Sequence, residues 1–206
     1  MSRFQQTKCP VFNRGVPPDA FLEELVAWGK TALEEIFAVN ASTTDIMGKV
    51  RPELGPWESV LHRRAAMLEV MRVLAGFESS WDWKEGVDTS RLGKDTPANS
   101  EAGAWQVSYD SRDKSPDLKP LLVAHGIIDD AHSIEDDMKF QRLMKFDHPL
   151  AMEYVARLMR HHTKHNGPLY KGEERAAIRS SLRGPEHSIY PWLSRDSVAE
   201  FMQLLV

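Results

Sequence analysis

Apolar residues recur along this chain at helical spacing, broken by short stretches of proline, glycine, asparagine and aspartate. After Pro17-Pro18, the positions Phe21, Leu22, Leu25, Trp28, Leu33, Ile36 and Phe37 predict a first helix with Asp19 at its N-cap. Residues 40–44 break that helix, and a short helix is expected from Asp45. Residues 51–56, with two prolines and a glycine, read as a connector. The next helix is predicted over 57–78. Its Val60, Leu61, Met67, Leu68, Met71, Leu74 and Ala75 share one face at about 100° per residue, and only Arg64 interrupts them. Glu78 projects from the centre of that apolar face, an unusual place for a charge.

Residues 79–104 show no sustained period and read as a long functional loop with room for a small β-hairpin. Short helices are expected near 117–125 and from Ser133, where Asp136 follows at capping-box spacing. Asp147 caps a longer helix over 149–165 that ends at Asn166-Gly167-Pro168. Residues 173–182 are helical, and Ser194 or Asp196 opens a final helix through Val198, Phe201, Met202 and Leu205. No alternating run supports a large sheet, so the fold class is mainly α. Residues 1–57 are expected as a leader and helices packing on the core, and 58–206 as the principal domain, within one globular unit.

Composition narrows the function. The 206 residues are 42% hydrophobic and 27% charged, with a formal net charge of −4. No basic run exists for nucleic acid or an anionic membrane, and no run of about 18 apolar residues for a membrane span. Cys9 is the single cysteine, which excludes an intrachain disulfide. It precedes Pro10 with no histidine nearby, which argues against a catalytic thiol. The first residues carry no apolar signal segment, so synthesis in the cytoplasm and an unusual route to any outside target are expected.

Candidate chemistry centres on Ala75-Gly76-Phe77-Glu78-Ser79-Ser80-Trp81-Asp82-Trp83. Cleaving a glycosidic bond requires a carboxylic acid that stays protonated near neutral pH, and burial against apolar groups favours that form. Glu78 has such a placement. Further on, Ser100-Glu101-Ala102-Gly103-Ala104-Trp105-Gln106-Val107-Ser108 combines small residues with an aromatic ring and an amide.

"Glu-Ser-Ser-Trp" followed after a loop by "Ala-Gly-Ala-Trp-Gln-Val-Ser" resembles the lysozyme-like superfamily of soluble lytic transglycosylases and goose-type lysozymes. His165-Asn166-Gly167 resembles that family's Tyr-Asn-Ala-Gly segment, with histidine in place of tyrosine, and the last helix after Tyr190 resembles its terminal helix. The blocks fall in family order over roughly 58–206. The resemblance implies a lysozyme-like helical domain that cleaves the β-1,4 bond between N-acetylmuramic acid and N-acetylglucosamine in peptidoglycan, without a cofactor. Glu78 would be the general acid. Ser79 would orient it or the substrate, and Gln106 and Asn166 would bind sugar groups. For a second carboxylate, Asp82, Asp88, Asp95, Glu101 and Asp110 are open, with Glu101 first because it adjoins the Gly-Ala-Trp-Gln turn and Asp88 next. A lytic transglycosylase needs no second carboxylate, so hydrolase and transglycosylase both stay open.

Trp81, Trp83 and Trp105 flank the site, and one of them, with Trp105 as the candidate, is assigned to the glycan. His161, His162 and His165 lack a third ligand at metal spacing, and no metal is expected. The acidic residues 129–130 and 135–137 lack calcium-loop spacing. The context expected by analogy is an antibacterial muramidase of the type VI secretion kind, acting in a target cell's periplasm and matched by an immunity protein in its cleft. A phage-type endolysin and a non-catalytic glycan-binding protein are the alternatives.

Overall fold

A computed structural model describes residues 2–40, 45–86, 99–127, 133–161 and 192–206. The expectations for Asp88, Asp95, residues 129–130, His162, His165, Asn166, Gly167 and the helix at 173–182 lie outside them. The described residues are mainly helical. They form α1 (Asp19–Thr31), α2 (Ile46–Leu54), α3 (Val60–Ser79), α4 (Leu118–Ala124), α5 (Ile134–Phe146), α6 (His148–Met159) and α7 (Arg195–Leu205). Two 3-10 turns, Glu34–Phe37 and Tyr109–Lys114, complete the order.

The helix α3 is the axis of the molecule, 20 residues long and therefore about 30 Å from end to end. Ser59 caps it by accepting from the His62 N–H at 3.1 Å. The expectation of a single apolar stripe is corrected here, because every residue from Ala65 to Gly76 is buried, Glu69 and Arg72 included. A helix enclosed on all sides has little contrast between its faces. Its largest contact is with α7, and α1, α2, α6 and the turn at Glu34–Phe37 cover the rest. Each fully buried Leu, Met or Val side chain contributes about 1.5–3 kcal/mol, so this rod dominates the core.

One hydrophobic core includes Phe4 and Val11 of the leader, Phe21 to Trp28 of α1, α3 itself and Phe201 of α7. The leader is fixed by Glu200 of α7. That carboxylate accepts from the backbone N–H of Gln5 and Thr7, both at 2.7 Å, and from the Thr7 hydroxyl at 2.7 Å. At the far side, Arg160 after α6 pairs with Asp45 through two contacts of 2.9 Å, both residues buried. The same guanidinium donates to the carbonyls of Ile36 and Ala38.

Several boundaries differ from expectation for identifiable reasons. Asp19 is the first helical residue rather than the cap. Pro18 holds the cap position, and Asp19 pairs with Lys8 at 2.7 Å. The first helix stops at Thr31, and a separate 3-10 turn buries Ile36 and Phe37 while Leu33 is left exposed. Helix α2 runs into the expected connector and includes Pro52, because Val50 and Leu54 are both drawn into the core. Helix α6 ends at Met159. Asp45, Ser133, Asp147 and Ser194 each cap the helix that follows, so the last helix opens at Ser194 rather than Asp196. Extended pairing among the described residues is limited to one antiparallel bridge, Ala102 with Val107, at the end of the loop.

Candidate functional site at the end of the central helix

Helix α3 ends in a reversal that fixes everything after Glu78. Ser80 and Trp81 both take left-handed backbone angles, φ 59° and 63°. For residues with a β-carbon such angles cost about 1–2 kcal/mol each. Hydrogen bonds hold them: Ser80 N–H donates to Gly76 O at 3.1 Å and Trp81 N–H to Ala75 O at 3.2 Å. The indole of Trp81 then folds back along the helix, and its Nε1 donates to Arg72 O at 2.8 Å. Only a glycine at 76 leaves room. A β-carbon there would stand 2.4 Å from Cζ2 of Trp81.

Ser79 joins this reversal to the second sequence block. Its hydroxyl hydrogen-bonds with the carbonyl of Ala104 at 2.8 Å and of Ala75 at 3.1 Å, and it accepts from the Asp82 N–H at 3.1 Å. Ala104 lies in the tight turn closed by the Ala102–Val107 pair, whose two backbone bonds are 3.0 and 3.2 Å. Gly103 is required in that turn on two counts. Its φ is +74°, and a β-carbon would lie 2.4 Å from Met144 O. The residue after Glu78 is thus bonded directly to the Gly-Ala-Trp-Gln turn.

Trp105 and Gln106 point into the protein. The Trp105 ring is 1% exposed. Its Nε1 donates to Met71 O at 2.9 Å, and it packs against Phe21 and Trp83. A sugar finds no free face on it, so the stacking role expected for Trp105 meets a buried core ring. Gln106 is also buried, has φ 47°, and donates from Nε2 to Gly103 O at 2.8 Å, closing its own turn. Trp81 is buried as well, and Trp83 stacks flat on His148, with centroids 3.8 Å apart. That histidine bonds to Glu24.

Glu78 is half-buried at the helix end, and Glu101 is half-buried one residue before the turn. Of the other carboxylates considered, Asp82 is exposed and accepts from Lys84 N–H at 2.8 Å, which closes a local turn. Asp110 is exposed beside Arg112. Among the described residues no group of histidine, cysteine and carboxylate side chains is assembled for a metal. No described helix is long and apolar enough to cross a membrane.

Beneath the site lies a charged pair that sequence reading passed over. Glu69 and Arg72 are both fully buried and meet through two contacts of 2.7 Å. Burial pulls the Arg72 guanidinium down, but Glu69 beside it more than reverses this and leaves it above its ordinary value. Burial pushes the Glu69 carboxyl up, against the opposing pull of Arg72 and of the Ser194 N–H at 2.9 Å. The geometry is bidentate, the arrangement in which an arginine and a carboxylate bind each other most strongly. Arg72 also donates to Cys9 O at 3.1 Å and to Trp192 O at 3.2 Å. As an (i, i+3) acid–base pair it looks in sequence like an ordinary surface contact, and no local signal marks it as buried.

The described residues with left-handed φ and a β-carbon are Phe12, Ser80, Trp81 and Gln106. All four surround the end of α3, since Phe12 packs on Phe77 at 6.0 Å. Backbone strain of this kind persists only where the surroundings over-determine it, and it concentrates at functional sites. Surface pockets lined by described residues lie elsewhere. One of about 310 Å³ is lined by residues including Glu35, Asn40, Asp117, Arg157 and His161, and one of about 840 Å³ by Ile134, Met138, Arg142 and Leu143 among others. No family model matches the chain, and neither a curated protein nor a solved structure does.

Proposed function

We propose that the protein is a lysozyme-like glycoside hydrolase, a muramidase that cleaves the β-1,4 bond between N-acetylmuramic acid and N-acetylglucosamine in peptidoglycan. Glu78 is the general acid. It protonates the bridging oxygen as the bond to C1 of N-acetylmuramic acid breaks, and water adds at that carbon to leave a new reducing end. The observation that carries this proposal is the bond between Ser79 Oγ and Ala104 O at 2.8 Å. It ties the residue that follows the half-buried Glu78 to the Gly-Ala-Trp-Gln turn, so the end of the central helix and that turn are joined beside the acid. A proton donor must be held still and partly withdrawn from water, and the two left-handed residues after it serve that end.

Glu101, half-buried beside the same turn, is the second carboxylate in this scheme, and Asp82 and Asp110 are solvated charges. Ser79, whose hydroxyl is committed to two carbonyls, positions the helix end. Gln106 shapes the turn. By context, such an enzyme is an antibacterial toxin delivered into a rival's periplasm and restrained by an immunity protein over the cleft. Digestion of purified sacculi tests the proposal. The wild type is expected to release soluble muropeptides and Glu78→Gln, which keeps size and hydrogen bonding, to release none. Anhydro ends instead of reducing ends would reassign the protein as a lytic transglycosylase, and binding without release would make it a glycan-binding module.

A further inference from the structure

With Trp81 and Trp105 buried, the aromatic surface beside Glu78 comes from a different part of the chain. Phe12 is 46% exposed. Its ring lies 6.0 Å from Phe77, the residue before Glu78, and 6.0 Å from Trp192, which it meets at 86°. Phe77 and Trp192 are 6.2 Å apart, so the three rings form one cluster.

This cluster is built rather than frayed. Val11 is fully buried and anchors a turn in which its N–H donates to Gly15 O at 3.2 Å and its carbonyl accepts from Arg14 at 3.0 Å. Phe12 stands at that turn with φ 48°. Exposing a phenyl ring and holding its backbone left-handed both cost stability, and a leader free to relax would do neither. The two segments that carry Phe12 and Trp192 come from opposite ends of the chain, and the buried guanidinium of Arg72 binds both, at Cys9 O and Trp192 O. The clamp therefore fixes the cluster relative to the end of α3.

We propose that Phe12, backed by Phe77 and Trp192, is an aromatic subsite that stacks on a pyranose ring of the glycan next to the bond Glu78 cleaves. This rests on Glu78 being a glycosidase acid. A β-linked pyranose presents a face of C–H groups whose hydrogens are slightly positive, and an aromatic ring presents a negative face. Such contact requires an exposed ring with a packed backing, and Phe12 is exposed and rests on Phe77, the residue before Glu78.

Co-sedimentation with purified peptidoglycan sacculi tests the subsite, using Glu78→Gln so that the glycan stays intact. Adding Phe12→Ala is expected to weaken binding by about 3- to 10-fold, and Phe12→Tyr, which keeps the ring, to restore it. Urea melts of both variants check that the half-exposed position has not disturbed folding. Unchanged binding in Phe12→Ala overturns the subsite and leaves the cluster as a contact for another macromolecule. Binding as weak in Phe12→Tyr as in Phe12→Ala overturns it too. Wild-type digestion of the same sacculi separates the two levels. Digestion with unaltered Phe12→Ala binding defeats the subsite alone, whereas neither digestion nor binding by the parent proteins defeats the glycan assignment and the subsite together.

Discussion

Replacing Gly76 by alanine sets two effects of opposite sign against each other. In a helix interior the change ordinarily gains up to about 1 kcal/mol. Here the added β-carbon would stand 2.4 Å from Cζ2 and 2.7 Å from Cε2 of Trp81. Carbon atoms rest at about 3.5–4.0 Å, so the indole must withdraw by about 1 Å. It has nowhere to go, being 4% exposed and bonded through Nε1 to Arg72 O at 2.8 Å. Overpacking of this kind costs about 1–3 kcal/mol, and a buried donor left unpaired costs about 1–3 kcal/mol more. The clash wins, and Gly76→Ala is expected to lose about 1–5 kcal/mol net. With a urea dependence of about 2 kcal/mol per molar, the midpoint falls by about 0.5–2.5 M. The same substitution in a Trp81→Phe background should cost markedly less, because the smaller ring removes the atoms in conflict. An alanine variant as stable as wild type, or equally costly in both backgrounds, would refute the account of how the α3 terminus is locked.

Other predictions follow from the same contacts. Arg72→Met leaves Glu69 buried without its partner and should destabilise the protein by about 3–5 kcal/mol. Adding Glu69→Leu should recover most of that loss, and two urea melts decide it. For Glu200, burial raises the carboxyl, but the donors from Thr7, Gln5 and Gln6 outweigh it and hold the pKa below the ordinary value. A depressed carboxylate stabilises fully above its unfolded pKa of about 4.3 and loses that contribution as pH falls through the folded value. Stability should therefore drop on acidification below about pH 4, and Glu200→Gln should show a shallower drop. Parallel slopes for the two proteins would contradict the role of Glu200 in fastening the leader.

Much of the helical order was legible in the chain because its signals are local. Asp45, Ser133, Asp147 and Ser194 each cap the helix their sequence context predicted, since a side-chain oxygen need only reach two or three residues. What escaped depends on residues far apart. Glu69 and Arg72 sit one helical turn from each other, and nothing nearby reveals that Cys9, Trp192 and Ser194 close over them. Trp81 and Trp105 were open to sugar or core, and the deciding partners, Arg72 O and Met71 O, lie on α3 beneath them. Phe12 gave no sign at all, because its place beside Glu78 depends on the leader's return across the helix end. Glu78 itself was legible as a charge at the end of an apolar helix. Its companion Ser79 became specific only through Ala104.

Glu78 as the proton donor is tested most directly by mass spectrometry of muropeptides after sacculi are treated with the wild type and with Glu78→Gln. The wild type should release disaccharide-peptides with intact stems and reducing N-acetylmuramic acid ends, and Glu78→Gln should release none. Equal release by the two proteins, or cut peptide stems on intact glycan, would contradict it.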